Sequence, residues 1–145
     1  YDMLRSLVGS EMCIRDRFRR VTTTGPAAVD VVWARYADLR LWPRWAPQIR
    51  AVEAPRRRLR AGLRGVVHAP LGLRVPFVVE EVDDDARTWR WTVRVAGTAV
   101  SMTHDLTATP RGTRAGLTVH GPAVVALAYR LPARVALRRL CRAHL

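Results

Sequence analysis

The stretch "TWRWTVRV", residues 88–95, alternates without a fault. Trp89, Trp91, Val93 and Val95 share one parity; Thr88, Arg90, Thr92 and Arg94 share the other. Successive strand side chains point to opposite faces, so this pattern describes a strand with one dry face and one wet face. A Gly97 turn leads into "TAVSMTHDLTAT" (98–109), where Val100, Met102, His104 and Leu106 fall on one face. "PRG" (110–112) turns the chain into "TRAGLTVHG" (113–121), with Ala115, Leu117 and Val119 inward. Upstream, "IRAVEA" (49–54), "GVVHAP" (65–70) and "RVPFVVEEV" (74–82) have the same texture, and "DDDA" (83–86) is a turn. Six neighbouring strands joined by tight turns predict an antiparallel meander, hence an α+β rather than a parallel α/β fold.

The flanking segments complete the order. "FRRVTTTG" (18–25) is a Thr/Val-rich strand that ends at a Gly-Pro breaker. Pro26 suits the first turn of a helix, where a missing N–H does no harm. Val29, Val32, Trp33, Tyr36 and Leu39 then form one apolar stripe at helical spacing. "LRLWPRWAP" (39–47) is Pro-broken; Trp42 and Trp45 are expected to clamp a short helical turn onto the core. The last segment (122–145) is helical, with a stripe of Val124, Leu127, Ala128, Leu131 and Val135 that must find a partner; a curved sheet supplies one. Pro132 lacks a donor N–H, so a kink or break is expected there.

Residues 7–16, "LVGSEMCIRD", resemble the in-frame translation of a transposase adapter used in sequencing libraries, with Arg17 straddling the junction. Residues 1–17 are therefore expected to be irregular and outside the fold, with Met12 no start and Cys13 no thiol of interest. Residues 18–145 are expected to be a single domain.

The net charge is +13, and every basic residue is arginine. Arg56, Arg57, Arg58, Arg60 and Arg64 form one cluster; Arg134, Arg138, Arg139 and Arg142 form another; Arg17, Arg19 and Arg20 a third. Such a surface serves solubility, or attracts anionic membranes and acidic partners. No RNP-like, zinc-finger or helix-turn-helix pattern accompanies the charge, so nucleic acid is not an expected partner. With Cys13 discounted, only Cys141 remains, which permits no internal disulfide. The four histidines have no metal spacing, so no metal is expected. No 18-residue apolar run occurs; the default location is cytoplasmic. There is no Gly-rich phosphate loop, no G-x-S-x-G elbow, and no lysine for Schiff-base chemistry. No cofactor is expected.

"GPAAVDVVWARYADLRLWPRWAPQIRAVE" (25–53), "VPFVVEEVDDDARTWRWTV" (75–93) and "THDLTATPRGTRAGLTVHG" (103–121) resemble the polyketide cyclase/dehydrase and lipid-transport family of the START-like (SRPBCC, helix-grip) superfamily. The likeness covers nearly all of 18–145 and rests on structural motifs, which speak to fold more than to chemistry. It implies a seven-stranded antiparallel sheet curled around a long C-terminal helix, with two short helices between the first two strands. It further implies an apolar cavity between sheet and helix for a lipid- or polyketide-like molecule, and in some members cyclase or dehydratase chemistry on the bound chain.

Polar side chains at inward parity are the candidates for orienting such a ligand. His104 is the first, as hydrogen-bonding partner or, if the protein is an enzyme, as acid/base. Glu81 shares parity with Val75, Phe77 and Val79, although a bulge or the strand end would turn it to water. Tyr129 can offer its hydroxyl from the last helix. Phe77, Val79, Trp89, Trp91, Met102, Leu127 and Leu131 are the expected apolar wall, each also suited to plain core packing. Pro132 or the loop near 70–74 is the expected entrance. The expected function is binding of a small hydrophobic molecule. The alternatives are a cyclase/dehydratase-type enzyme using His104, and a peripheral membrane or acidic-partner contact through the basic face.

Overall fold

A computed structural model describes residues 18–145; the expectations for residues 1–17 lie outside the described residues. Seven strands form one antiparallel sheet: β1 (Phe18–Gly25), β2 (Ala51–Glu53), β3 (Arg64–His68), β4 (Arg74–Asp83), β5 (Thr88–Val95), β6 (Thr98–Thr109) and β7 (Gly112–His120). Their spatial order is β1-β7-β6-β5-β4-β3-β2. Strands β2 to β7 thus lie in sequence order as a meander, and β1 closes on β7. Two helices, α1 (Val29–Ala37) and α2 (Trp42–Trp45), separate β1 from β2, and α3 (Ala123–Leu140) follows β7. The sheet curls, and α3 packs against β1, β7 and α2.

The predicted alternation is realised in the register. Trp89 pairs with His104, Trp91 with Met102 and Val93 with Val100, so one continuous apolar face runs across β5 and β6. The turn between them needs left-handed backbone at both central residues, which Ala96 (φ 51°) and Gly97 (φ 78°) adopt, matching the twist of the two strands.

One irregularity redirects a side chain. The β4–β5 register shifts between Val79 and Glu81, so that Glu81 faces Arg90 and Val82 faces Trp89. The extra residue of this β-bulge reverses parity beyond it. Glu81, placed inward by simple alternation, is instead exposed, 3.7 Å from Arg90.

Helix α3 also differs from its predicted face. Val124, Leu127, Leu131 and Val135 are exposed, while Ala126, Ala133, Ala136, Leu137 and Leu140 are buried. Ala126, Ala133 and Ala136 let the helix lie close to the sheet, and Leu137 and Leu140 fill the space at its C-terminal end. Pro132 does not break the helix. The carbonyl that loses its donor belongs to Ala128, an exposed residue.

The C-terminal end of α3 is fastened by a buried cation. Arg35 donates from Nη1 to the carbonyls of Leu140 (2.7 Å) and Arg142 (2.5 Å), and from Nη2 to that of Ala143 (3.2 Å). The Leu140 carbonyl is an orphan of the last helical turn, at the negative end of the dipole, and the same guanidinium gathers two carbonyls of the segment that follows. Beside it, Gly25 passes so close to α3 that a Cβ there would lie 2.4 Å from the Cys141 carbonyl oxygen.

The cavity between sheet and helix

Two ends of the space between sheet and α3 are filled differently. At one end Tyr36, Trp42, Trp45, Phe77, Trp89 and Trp91 form an aromatic block, with neighbouring ring centroids 5.2–6.3 Å apart. Trp42 is fully buried at its centre and donates from Nε1 to the Tyr36 carbonyl (2.9 Å). At the other end the facing walls carry short side chains. Val67 and Val75 come from β3 and β4, Val93, Val95, Val100 and Met102 from β5 and β6, and Val125 and Ala128 from α3. Side chains this short do not reach across, and a cavity of about 410 Å³ remains. Its size falls in the usual range for small-molecule sites. Leu73, after the β3–β4 turn, and Val124, at the start of α3, are exposed residues on its lining and mark its mouth.

A second, much smaller space of about 20 Å³ lies deeper. It shares Gln48, Ile49, Trp91 and Tyr129 with the large cavity and adds Trp89 and His104. His104 is buried, stacks on Trp89 (4.1 Å between centroids, 4° between planes), and has Nδ1 3.2 Å from the Tyr36 hydroxyl. Desolvation disfavours its charged form and lowers its pKa to about 3, so the imidazole is neutral at physiological pH. Burial likewise raises the pKa of the Tyr36 hydroxyl and keeps it protonated. Tyr129 is half-buried and accepts from Gln48 Nε2 (2.8 Å).

The sequence candidates therefore separate. Trp91, Met102 and Tyr129 line the large cavity, and Trp89 and His104 line only the small recess. Phe77 and Val79 are buried but line neither, and Phe77 packs on Trp42 and Trp91 instead. Leu127 and Leu131 stand on the outer face of α3, and Glu81 on the outer face of the sheet. The loop near 70–74 contributes Leu73 to the mouth, and Pro132 does not line the cavity. Sequence reasoning missed Gln48, which lies after α2 outside any periodic element, and did not single out Ile49, which opens the predicted strand 49–54 but precedes the observed β2. It also passed over Val93, Val95 and Val100, although strand parity already placed them inward.

Among the described residues no cluster of three or more His, Cys, Asp or Glu side chains is placed to hold a metal, and no helix is long and apolar enough to cross a membrane.

Comparison with solved structures returns the same architecture. Protein MLL2253 from Mesorhizobium loti has a TM-score of 0.73 at 17% identity, over 86% of this chain and 93% of that one. Ara h 8.0201 has a TM-score of 0.69 at 16% identity, over 86% and 94%. The di-domain ARO/CYC BexL from the BE-7585A biosynthetic pathway has a TM-score of 0.71 at 20% identity, over 86% of this chain and 45% of that one. No curated protein gives a significant sequence match. Residues 19–145 match the family described as polyketide cyclase/dehydrase and lipid transport.

Proposed function

The chain belongs to the polyketide cyclase/dehydrase and lipid-transport family, and from that premise we propose that it binds a small hydrophobic molecule in the 410 Å³ cavity between the sheet and α3. The observation that carries this is the lining, where Gln48 and Tyr129 supply the polar side chains of an otherwise apolar wall. An apolar molecule entering it leaves water at a gain of about 25 cal/mol per Å² buried, before the cost of association. Binding is favoured over cyclase or dehydratase catalysis because His104, the one candidate acid/base, touches only the 20 Å³ recess. With a pKa near 3 it is not the imidazolium that a general acid needs at neutral pH, and it is a weak base.

Titration with the neutral dye N-phenyl-1-naphthylamine tests this. The parent is expected to bind one dye saturably. Ala128→Trp, which puts an indole on the cavity wall from the exposed side of α3, is expected to weaken binding by at least about tenfold, with an unchanged melting curve. Equal binding by the two proteins would mean that the dye sits elsewhere, and the assignment would fail.

A second reading concerns the outer face of α3. Val124 and Leu131 are 73% and 71% exposed, and Leu127 and Val135 continue the same stripe. Arg130, Arg134 and Arg138 run along its flank, all exposed. From Leu106 to the last residue there are seven arginines and no Asp or Glu. An apolar stripe bordered by unbalanced cations fits an anionic lipid surface. A second copy of the chain would instead bring like charges together. Leu71, fully exposed at the tip of the β3–β4 turn, extends the apolar surface beside the cavity mouth. The protein is expected to sediment with vesicles of phosphatidylglycerol and phosphatidylcholine but not of phosphatidylcholine alone. It should be released as salt rises from about 0.05 M to about 0.5 M. Leu127→Asp with Leu131→Asp should abolish the association. Binding that ignores salt or lipid charge would rule this surface out.

A further inference from the structure

The deep recess holds a concentration of unanswered hydrogen-bonding groups. Trp89 Nε1, Trp91 Nε1, His104 Nε2 and Gln48 Oε1 are all buried atoms without a partner. The first three belong to side chains that are 1%, 6% and 4% exposed. Buried polar atoms are ordinarily satisfied, and four orphans around one space call for an occupant. All four residues line the recess, and Gln48, Trp91 and Tyr129 line the large cavity too, so the two spaces adjoin.

The chemistry of these atoms narrows the occupant. The indole nitrogens only donate. In the tautomer in which the Tyr36 hydroxyl donates to Nδ1, the neutral His104 ring carries its proton on Nε2 and donates as well; in the other tautomer Nε2 accepts. Gln48 Nε2 is spent on Tyr129, which leaves Oε1 as an acceptor. The two indole N–H groups match the two lone pairs of a carbonyl oxygen, and His104 Nε2 adds a third donor in the first tautomer. A hydroxyl, accepting from an indole and donating to Gln48, also fits. No Arg, Asp or Glu lines the recess. A carboxylate or an ammonium would be stripped of water there with no opposite charge to meet it, and that penalty is large. The volume, about 20 Å³, suits one oxygen atom and excludes a larger polar group.

We propose that the recess reads the inner end of the ligand, and that this end is a single neutral oxygen, a carbonyl or hydroxyl on an otherwise apolar skeleton. The assignment rests on the cavity being the ligand site. It places Trp91 at the junction of the two spaces, as the residue that touches both the skeleton and its polar terminus. Trp89 and His104 hold the terminus from behind, their rings stacked 4.1 Å apart.

Three probes sharing one ring system separate the possibilities by calorimetry on the full chain: 2-acetylnaphthalene, 2-ethylnaphthalene and 2-naphthoate. The ketone is expected to bind about 3- to 10-fold more tightly than the hydrocarbon, and at least about 30-fold more tightly than the carboxylate at pH 7.5. Trp91→Phe, which keeps a ring but removes one of the N–H donors, should reduce the advantage of the ketone and leave the hydrocarbon unchanged. Equal affinity of ketone and hydrocarbon, as expected if a water permanently fills the recess, overturns the proposal and leaves the cavity intact. Carboxylate binding as tight as that of the ketone also overturns it. If none of the three binds, the cavity assignment itself falls. Because the series runs on the parent protein, the outcome stands even if Trp91→Phe does not fold.

Discussion

Trp42→Ala is expected to cost about 3–5 kcal/mol and to leave the domain unfolded, or close to it, at 37 °C. The side chain is wholly buried and touches Trp45, Phe77, Trp89 and Trp91 at centroid distances of 5.2–6.3 Å. It joins α2 to the sheet, so its removal opens a hole bounded by two elements that cannot both move in. The Tyr36 carbonyl also loses its donor. Trp42→Phe keeps most of the volume and should cost roughly half as much. Urea denaturation followed by circular dichroism measures both. A loss below about 1 kcal/mol for the alanine variant would show that the aromatic block is not what holds the closed end together.

The second large effect is a dependence on pH that traces to His104. Its folded pKa, about 3, lies below the unfolded value near 6.5. The folded protein therefore binds fewer protons than the unfolded chain between these values. Stability is full above pH 6.5 and falls as pH drops towards 3, because protons favour the chain that can take them up. Between pH 7.5 and pH 5.0 the expected loss is about 2 kcal/mol, a window mostly above the carboxylate range. His104→Phe preserves a ring against Trp89 but cannot titrate. It should be less stable than the parent at pH 7.5, where the Tyr36 hydroxyl has lost its partner, and should show a flatter profile towards pH 5.0. Parallel profiles for the two proteins would mean that His104 ionises freely in the fold, and that the recess is wetter than its burial indicates.

Which parts of the site were legible follows from the kind of signal each residue carries. Trp91, Met102 and His104 sit in runs whose period of two survives into the structure, because the β5–β6 ladder is unbroken. Glu81 lies past a bulge in an otherwise regular run, and one inserted residue inverts every parity beyond it. The letters "VVEEV" look the same with or without it. In α3 the larger side chains suggested one face, yet the helix buries Ala126, Ala133 and Ala136 with Leu137 and Leu140. A hydrophobic stripe ranks faces by side-chain size, whereas packing against the sheet buries a face that mixes alanines with Leu137 and Leu140. Gln48 belongs to no repeat, and nothing local marks it as a partner of Tyr129, which lies 81 residues away.

Read alone, the chain determined its alternation, its turns, the order of its elements and therefore its α+β class, because these depend on residues a few positions apart. Only the folded molecule decided which face of α3 meets the sheet, where β4 slips by one residue, and where short side chains oppose one another and leave a cavity. Those outcomes depend on contacts between distant segments, and packing between layers is settled by volume and shape that no single element carries in its own pattern.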